Sequence, residues 1–146
     1  MEILWNAGAD ILLIETQPSL REALIEAEIA EEMGADYWIS FSCKDGHHIH
    51  EGNTIAECAR VLSENHPGLK MIGVNCSKPE HIVSLIRDIK QETNLPVAIF
   101  MIPLQKHGKS SAAVRALRKM RFPILKQAQM RSAAAVPQPA PTSNRL

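Results

Sequence analysis

Four short apolar runs, recurring about every 30 residues, constrain this chain more than any other feature. They are Ala9–Glu15 (ADILLIE), Tyr37–Phe41 (YWISF), Lys70–Val74 (KMIGV) and Val97–Phe100 (VAIF). Each is nearly continuous in apolar character and rich in β-branched or aromatic residues. That pattern suits strands covered on both faces, as in a parallel sheet. The three stretches between them have helical period. Leu20, Ala23, Leu24, Ala27, Ala30 and Met33 share one face of the first, with Glu22, Glu26, Glu31 and Glu32 pointing elsewhere. Ile55, Cys58, Ala59 and Leu62 repeat in the second, and Ile82, Leu85, Ile86 and Ile89 in the third.

Each helical stretch is preceded by a hydroxyl and, three residues on, a carboxylate: Ser19 and Glu22, Thr54 and Glu57, Ser77 and Glu80. These read as capping boxes, which satisfy backbone N–H groups left free in a helix's first turn. Gly34 stops the first helix, and Asn94–Pro96 ends the third. The order β-α-β-α-β-α-β follows. On periodicity alone it fits a doubly wound sheet and part of a (β/α)8 barrel equally well, four strands being half of the latter. No GxGxxG or GxxxxGK[ST] follows any strand, so nucleotide-phosphate binding has no support.

Net charge is zero, but its distribution is not even. Residues 1–100 carry all 16 acids and 7 of the 16 Lys and Arg, a balance of −9; residues 101–146 carry the other 9 bases and no acid. A boundary is therefore expected near Phe100, with one domain over 1–101 and a basic tail of low order over 102–146. The tail has no nucleic-acid motif and only Phe122 among its basic residues, so no specific nucleic-acid partner is expected. No apolar run approaches the roughly 20 residues needed to span a bilayer, so no membrane is expected either. The start has no secretory pattern, and the three cysteines, Cys43, Cys58 and Cys76, have no CxxC spacing. Reduced thiols in the cytoplasm are the expectation.

In parallel α/β architectures functional groups gather at the C-terminal ends of strands. Here those positions hold Glu15-Thr16, Ser42-Cys43-Lys44-Asp45 and Asn75-Cys76. Cys58, on the apolar face of a helix, reads as core. His47, His48 and His50 crowd one loop, a composition seen in metal sites, but flanking Gly46 and Gly52 read as an exposed, flexible loop. His66 and His81 read as surface positions.

The wording of this rim resembles a known family. GADILLIETQPSLREA (Gly8–Ala23), WISFSCKDG (Trp38–Gly46) and IGVNCSKPEHI (Ile72–Ile82) are similar to three consecutive blocks of the homocysteine S-methyltransferases. The second block is most like the branch using S-methylmethionine or S-adenosylmethionine. The resemblance runs from about Trp5 to Phe100 and implies a partial (β/α)8 barrel of about four βα units. It implies a zinc-dependent transfer of methyl to homocysteine, giving methionine. On this resemblance Cys76 matches a zinc-ligating cysteine, Glu15 the acid that holds the substrate's amino group, and Asn75 a neighbour shaping the site. The family's adjacent cysteine pair has no counterpart, since no cysteine follows Cys76. The expectation is an internal fragment started at Met1 and inactive alone, its tail an out-of-frame product or, as alternatives, a designed fusion or a genuine divergent C-terminus that acts as a basic interaction module. An open half-barrel is also expected to self-associate or to pair with a complementary chain.

Overall fold

The computed structural model describes residues 1–100, and these form an α/β unit with one four-stranded parallel sheet. A short helix α1 (Glu2–Asn6) leads into β1 (Leu12–Gln17), α2 (Leu20–Glu32), β2 (Tyr37–Ser42) and α3 (Ile55–Asn65). Then come β3 (Leu69–Asn75), a 3-10 turn (Pro79–His81), α4 (Ile82–Glu92) and β4 (Val97–Phe100). The expected domain boundary and the basic segment beyond it lie outside the described residues.

Strand order is β1-β2-β3-β4, every pair parallel. Neighbours in sequence are neighbours in space, with no reversal of order among the described strands. A doubly wound sheet requires such a reversal, so the ambiguity of the periodicity is resolved toward a singly wound sheet. The helices cover one face. Ala23, Ala27 and Ala30 of α2, Ile55, Cys58, Ala59 and Leu62 of α3, and Ile82, Leu85 and Ile89 of α4 are fully buried. They meet Leu12, Ile14, Tyr37, Ile39, Phe41, Ile72 and Val74 from the strands. The alanines let α2 approach the sheet closely, and burying each large aliphatic contributes about 1.5–3 kcal/mol.

Two of the three capping boxes form as expected on the hydroxyl side. Ser19 Oγ accepts from the Glu22 amide at 3.3 Å and Thr54 Oγ1 from the Glu57 amide at 3.1 Å. Each cap is worth about 1 kcal/mol. Gly34 follows the Met33 C-cap at φ +63°, the left-handed conformation that closes a helix without a Cβ penalty.

Four expectations are corrected. Ser77 does not cap a helix: Pro79 opens a 3-10 turn and α4 begins only at Ile82, so the Ser77 hydroxyl is released for other partners. β1 runs Leu12–Gln17 rather than Ala9–Glu15, because α1 and its turn take up the residues before it. His66 is buried, its Nδ1 on the Leu62 carbonyl at 3.0 Å. Glu26 and Glu31 also turn inward from the acidic side of α2. Glu26 accepts from Gln17 Nε2 at 2.8 Å, and Glu31 Oε1 accepts from Tyr37 Oη at 3.0 Å and the Gly68 amide at 2.8 Å.

Candidate functional site

The C-terminal ends of β1, β2 and β3 converge on a set of polar side chains within an otherwise apolar sheet. Ser40 and Asn75 are buried; Cys76, one residue beyond β3, is exposed. Ser40 Oγ accepts from the Thr16 amide at 3.2 Å and donates to Asn75 Oδ1 at 3.2 Å. Asn75 Nδ2 donates to Thr16 Oγ1 and approaches Cys76 Sγ at 3.6 Å. A closed ring of hydrogen bonds thus joins Thr16, Ser40 and Asn75 across three strands, and Asn75 extends it to the Cys76 sulfur.

The backbone is unusual at Thr16, in the ring, and at Cys76, beside it. Thr16 (φ +63°) and Cys76 (φ +49°) are the positive-φ non-glycine residues of the described chain. Such a conformation costs of order 1–3 kcal/mol per residue and persists only where surroundings over-determine it. At Thr16 it coincides with a register shift: Ile14 pairs with Ile39, but Gln17 with Phe41. β1 thus has one more residue than β2 over this interval, a bulge that leaves Glu15 and Thr16 both exposed and returns Gln17 to the buried face.

A second latch sits beside the first. Ser77 Oγ accepts from the Cys43 amide at 2.9 Å and donates to the Asn75 carbonyl at 3.0 Å, joining the loops that follow β2 and β3. Cys43 itself is buried, and burial pushes its thiol up to about 11. Cys58 lies in the core of α3, pushed up to about 12 by burial and then by Glu57. Of the three thiols, only that of Cys76 faces solvent.

The histidine loop is more ordered than its glycines suggest. Asp45 Oδ1 accepts from the amides of His47 and His48, each at 2.8 Å, and pairs with His48 Nδ1 at 3.0 Å. The two amide bonds, that of His47 first, lower the Asp45 carboxyl to about 2. Ile49 is fully buried, and isolated bridges join Cys43 to Ile49 and His48 to Thr54. His47 Nδ1 reaches Asp88 Oδ2 at 2.7 Å, tying the loop to α4. Among the described residues, no three of His, Cys, Asp and Glu converge in a way that could hold a metal ion.

The sequence-predicted site residues therefore divide. Asn75 lies in the ring, Cys76 is bonded to it through Asn75 Nδ2, and Glu15 lies next to it, on the bulge beside Thr16. Ser42 is buried and pairs with Asn75 in the sheet, whereas Asp45 serves the loop. Ser40 was not singled out, nor was Ser77 for its latch. A polar residue at alternate positions of the apolar run YWISFS was the available signal for Ser40. A shallow groove between α2 and α3, lined by Leu24, Glu28, Glu31 and Val61, includes no residue of the ring.

The family model for homocysteine S-methyltransferase matches residues 1–130. Homocysteine S-methyltransferase YbgG of Bacillus subtilis is 43% identical over 101 residues, covering 68% of this chain and 32% of the relative. Homocysteine S-methyltransferase 4 of Zea mays is 38% identical over 102 residues, covering 68% and 30%. The chain thus spans about a third of the length of the curated relatives it matches. The crystal structure of the Escherichia coli homocysteine methyltransferase MmuM in its apo form superposes with a TM-score of 0.65 at 28% identity, covering 70% of this chain and 39% of that one. Its metallated form gives 0.64 at 29%, covering 68% and 35%.

Proposed function

The chain belongs to the homocysteine S-methyltransferase family, and on that premise we propose that it carries part of a zinc-dependent site for methyl transfer from S-methylmethionine, or S-adenosylmethionine, to homocysteine. In this reading Cys76 is one thiolate ligand of the metal, Glu15 receives the amino group of homocysteine, and Asn75 shapes the site between them. The observation that carries it is the ring itself. One buried amide, Asn75, hydrogen-bonds both to the strand bulge that bears Glu15 and to the exposed sulfur of Cys76. Strain held at the end of parallel strands is a mark of functional positions.

The donor set of this chain does not by itself fit a catalytic zinc, which takes three protein ligands and leaves one position open. Cys43 and Cys58 are buried with their protons held by burial, and no cysteine follows Cys76. No chemical step is therefore assigned to the metal here. What the chain's own residues supply is a carboxylate for a substrate ammonium, a sulfur ligand, and an N–H donor directed at that sulfur. We therefore expect no turnover from the chain alone. Activity requires further donors, supplied by the rest of a (β/α)8 barrel.

Sheet geometry supports association as the route to that completion. Among the described residues β1 pairs only with β2 and β4 only with β3, and the uncovered face exposes Leu13 and Phe100. Pairing with a complementary barrel part, or with a second copy, would cover both. The expected setting is the cytoplasm, where thiols stay reduced; no described helix is long and apolar enough to cross a membrane.

The test is methionine formation from S-methylmethionine and homocysteine. The isolated chain should give none, and turnover by it would overturn the reading. With the complementary part of the Bacillus relative supplied in trans, the complex should bind one zinc. Replacing Cys76 by Ala should abolish that zinc, and retention would exclude Cys76 as a ligand.

A further inference from the structure

Ser40 is a member of the ring and hydrogen-bonds to neither Glu15 nor Cys76. Its side chain is fully buried, and its hydroxyl makes two bonds, accepting from the Thr16 amide and donating to Asn75 Oδ1. A buried hydroxyl needs an acceptor for its proton. Here the acceptor is the Asn75 amide, which can serve only through its oxygen. That choice decides the amide's other end: Nδ2 is turned toward Thr16 Oγ1 and Cys76 Sγ. Rotated by half a turn, the amide would leave the Ser40 proton facing an N–H and set Oδ1 against the sulfur.

We infer that Ser40 is a positioning residue of the proposed site. By fixing the orientation of the Asn75 amide and holding the Thr16 N–H, its hydroxyl couples the bulge carrying Glu15 to the turn carrying Cys76. The two positive-φ residues are the two ends of this coupling. Neither conformation is favoured locally, since a β-branched threonine and a cysteine both resist the left-handed region. Both are joined to the same side-chain amide, and Ser40 sets which way that amide faces. The inference rests on the roles proposed above for Glu15 and Cys76.

NMR of the full chain tests it without metal or substrate. In the unsubstituted chain the Asn75 side-chain amide protons should show NOEs to the side chains of Thr16 and Cys76. Thr16 and Cys76 should each show the strong intraresidue Hα–HN NOE of a positive φ. Ser40→Ala should lose both intraresidue signatures together, while NOEs across the Ile14–Ile39 and Ile39–Ile72 pairs remain. Ser40→Thr, which keeps the hydroxyl, should restore them; rescue of this kind separates hydrogen bonding from packing. Signatures that persist in Ser40→Ala, change at one residue only, or fail to return in Ser40→Thr would overturn the coupling. Should Ser40→Ala not fold, the unsubstituted chain still decides. Amide protons facing Ser40 instead of Cys76 would refute the inference. Failure of zinc or homocysteine binding would instead count against Glu15 and Cys76, leaving the measured coupling intact.

Discussion

Trp38 of β2 stacks on Phe100 of β4 with ring centroids 5.2 Å apart and planes 28° from parallel. The strand between them, β3, makes room with a glycine. A Cβ at Gly73 would lie 2.9 Å from Ser40 Cβ, 3.2 Å from the Trp38 ring and 3.3 Å from the Ala98 carbonyl. The same residue thus admits an aromatic pair on the sheet face opposite the helices and gives Ser40 its place in the hydrogen-bonded ring.

Gly73→Ala should therefore destabilise the fold by about 1–3 kcal/mol, the usual cost of overpacking a filled site. The midpoint of urea unfolding, followed by tryptophan fluorescence, measures it. An unchanged midpoint would mean that the sheet yields at Gly73 without strain.

Selective alkylation follows from the thiols. Burial holds Cys43 at about 11 and Cys58 at about 12, so at pH 8 roughly one part in a thousand or less of either is thiolate. Iodoacetamide should label the native chain once, at Cys76, and three times in denaturant, read by mass spectrometry. Native labelling at Cys43 would contradict the closed loop that covers it.

Acidification should act on the histidine loop late. The Asp45 carboxyl is lowered to about 2, first by the His47 amide, so the folded loop releases protons more readily than the unfolded one. Its contribution is fully present above the ordinary Asp value and is lost as pH falls through about 2. A carbon-detected titration of Asp45 should show a midpoint near 2. Asp45→Ala should raise amide exchange at His47 and His48 at neutral pH.

At the alkaline end the single tyrosine carries the prediction. Burial, then the bond to Glu31, raises the Tyr37 hydroxyl above its usual value. The folded state keeps a proton that the unfolded state gives up, so stability falls as pH rises past about 10. Absorbance near 295 nm should show no phenolate until the chain unfolds. Glu31→Gln should leave Tyr37 titrating lower while keeping most of the bond to the Gly68 amide.

Much of the fold was legible because strand and helix periods differ and each face of an element is written in adjacent residues. The three long helices, the four parallel strands and the Ser19 and Thr54 caps lie close to where pattern and capping chemistry put them. The misreadings came where a residue had two possible partners. Ser77 has the spacing of a cap, yet Pro79 delays the helix, and the Cys43 amide becomes its donor. Glu31 has the look of a solvated face, but it meets a tyrosine 6 positions along and a glycine 37 along.

The sequence by itself determined the order of the four strands and three long helices, the residues that form the helical core, and the family, because each depends on neighbours within a few turns of chain or on wording held in short blocks. Strand order was open, and only pairing across the sheet decided between a singly and a doubly wound arrangement. Tertiary structure also decided the ring of Thr16, Ser40 and Asn75, the left-handed turns at Thr16 and Cys76, and the buried state of Cys43. These depend on hydrogen bonds and burial between residues 24 to 59 positions apart, which no local pattern records.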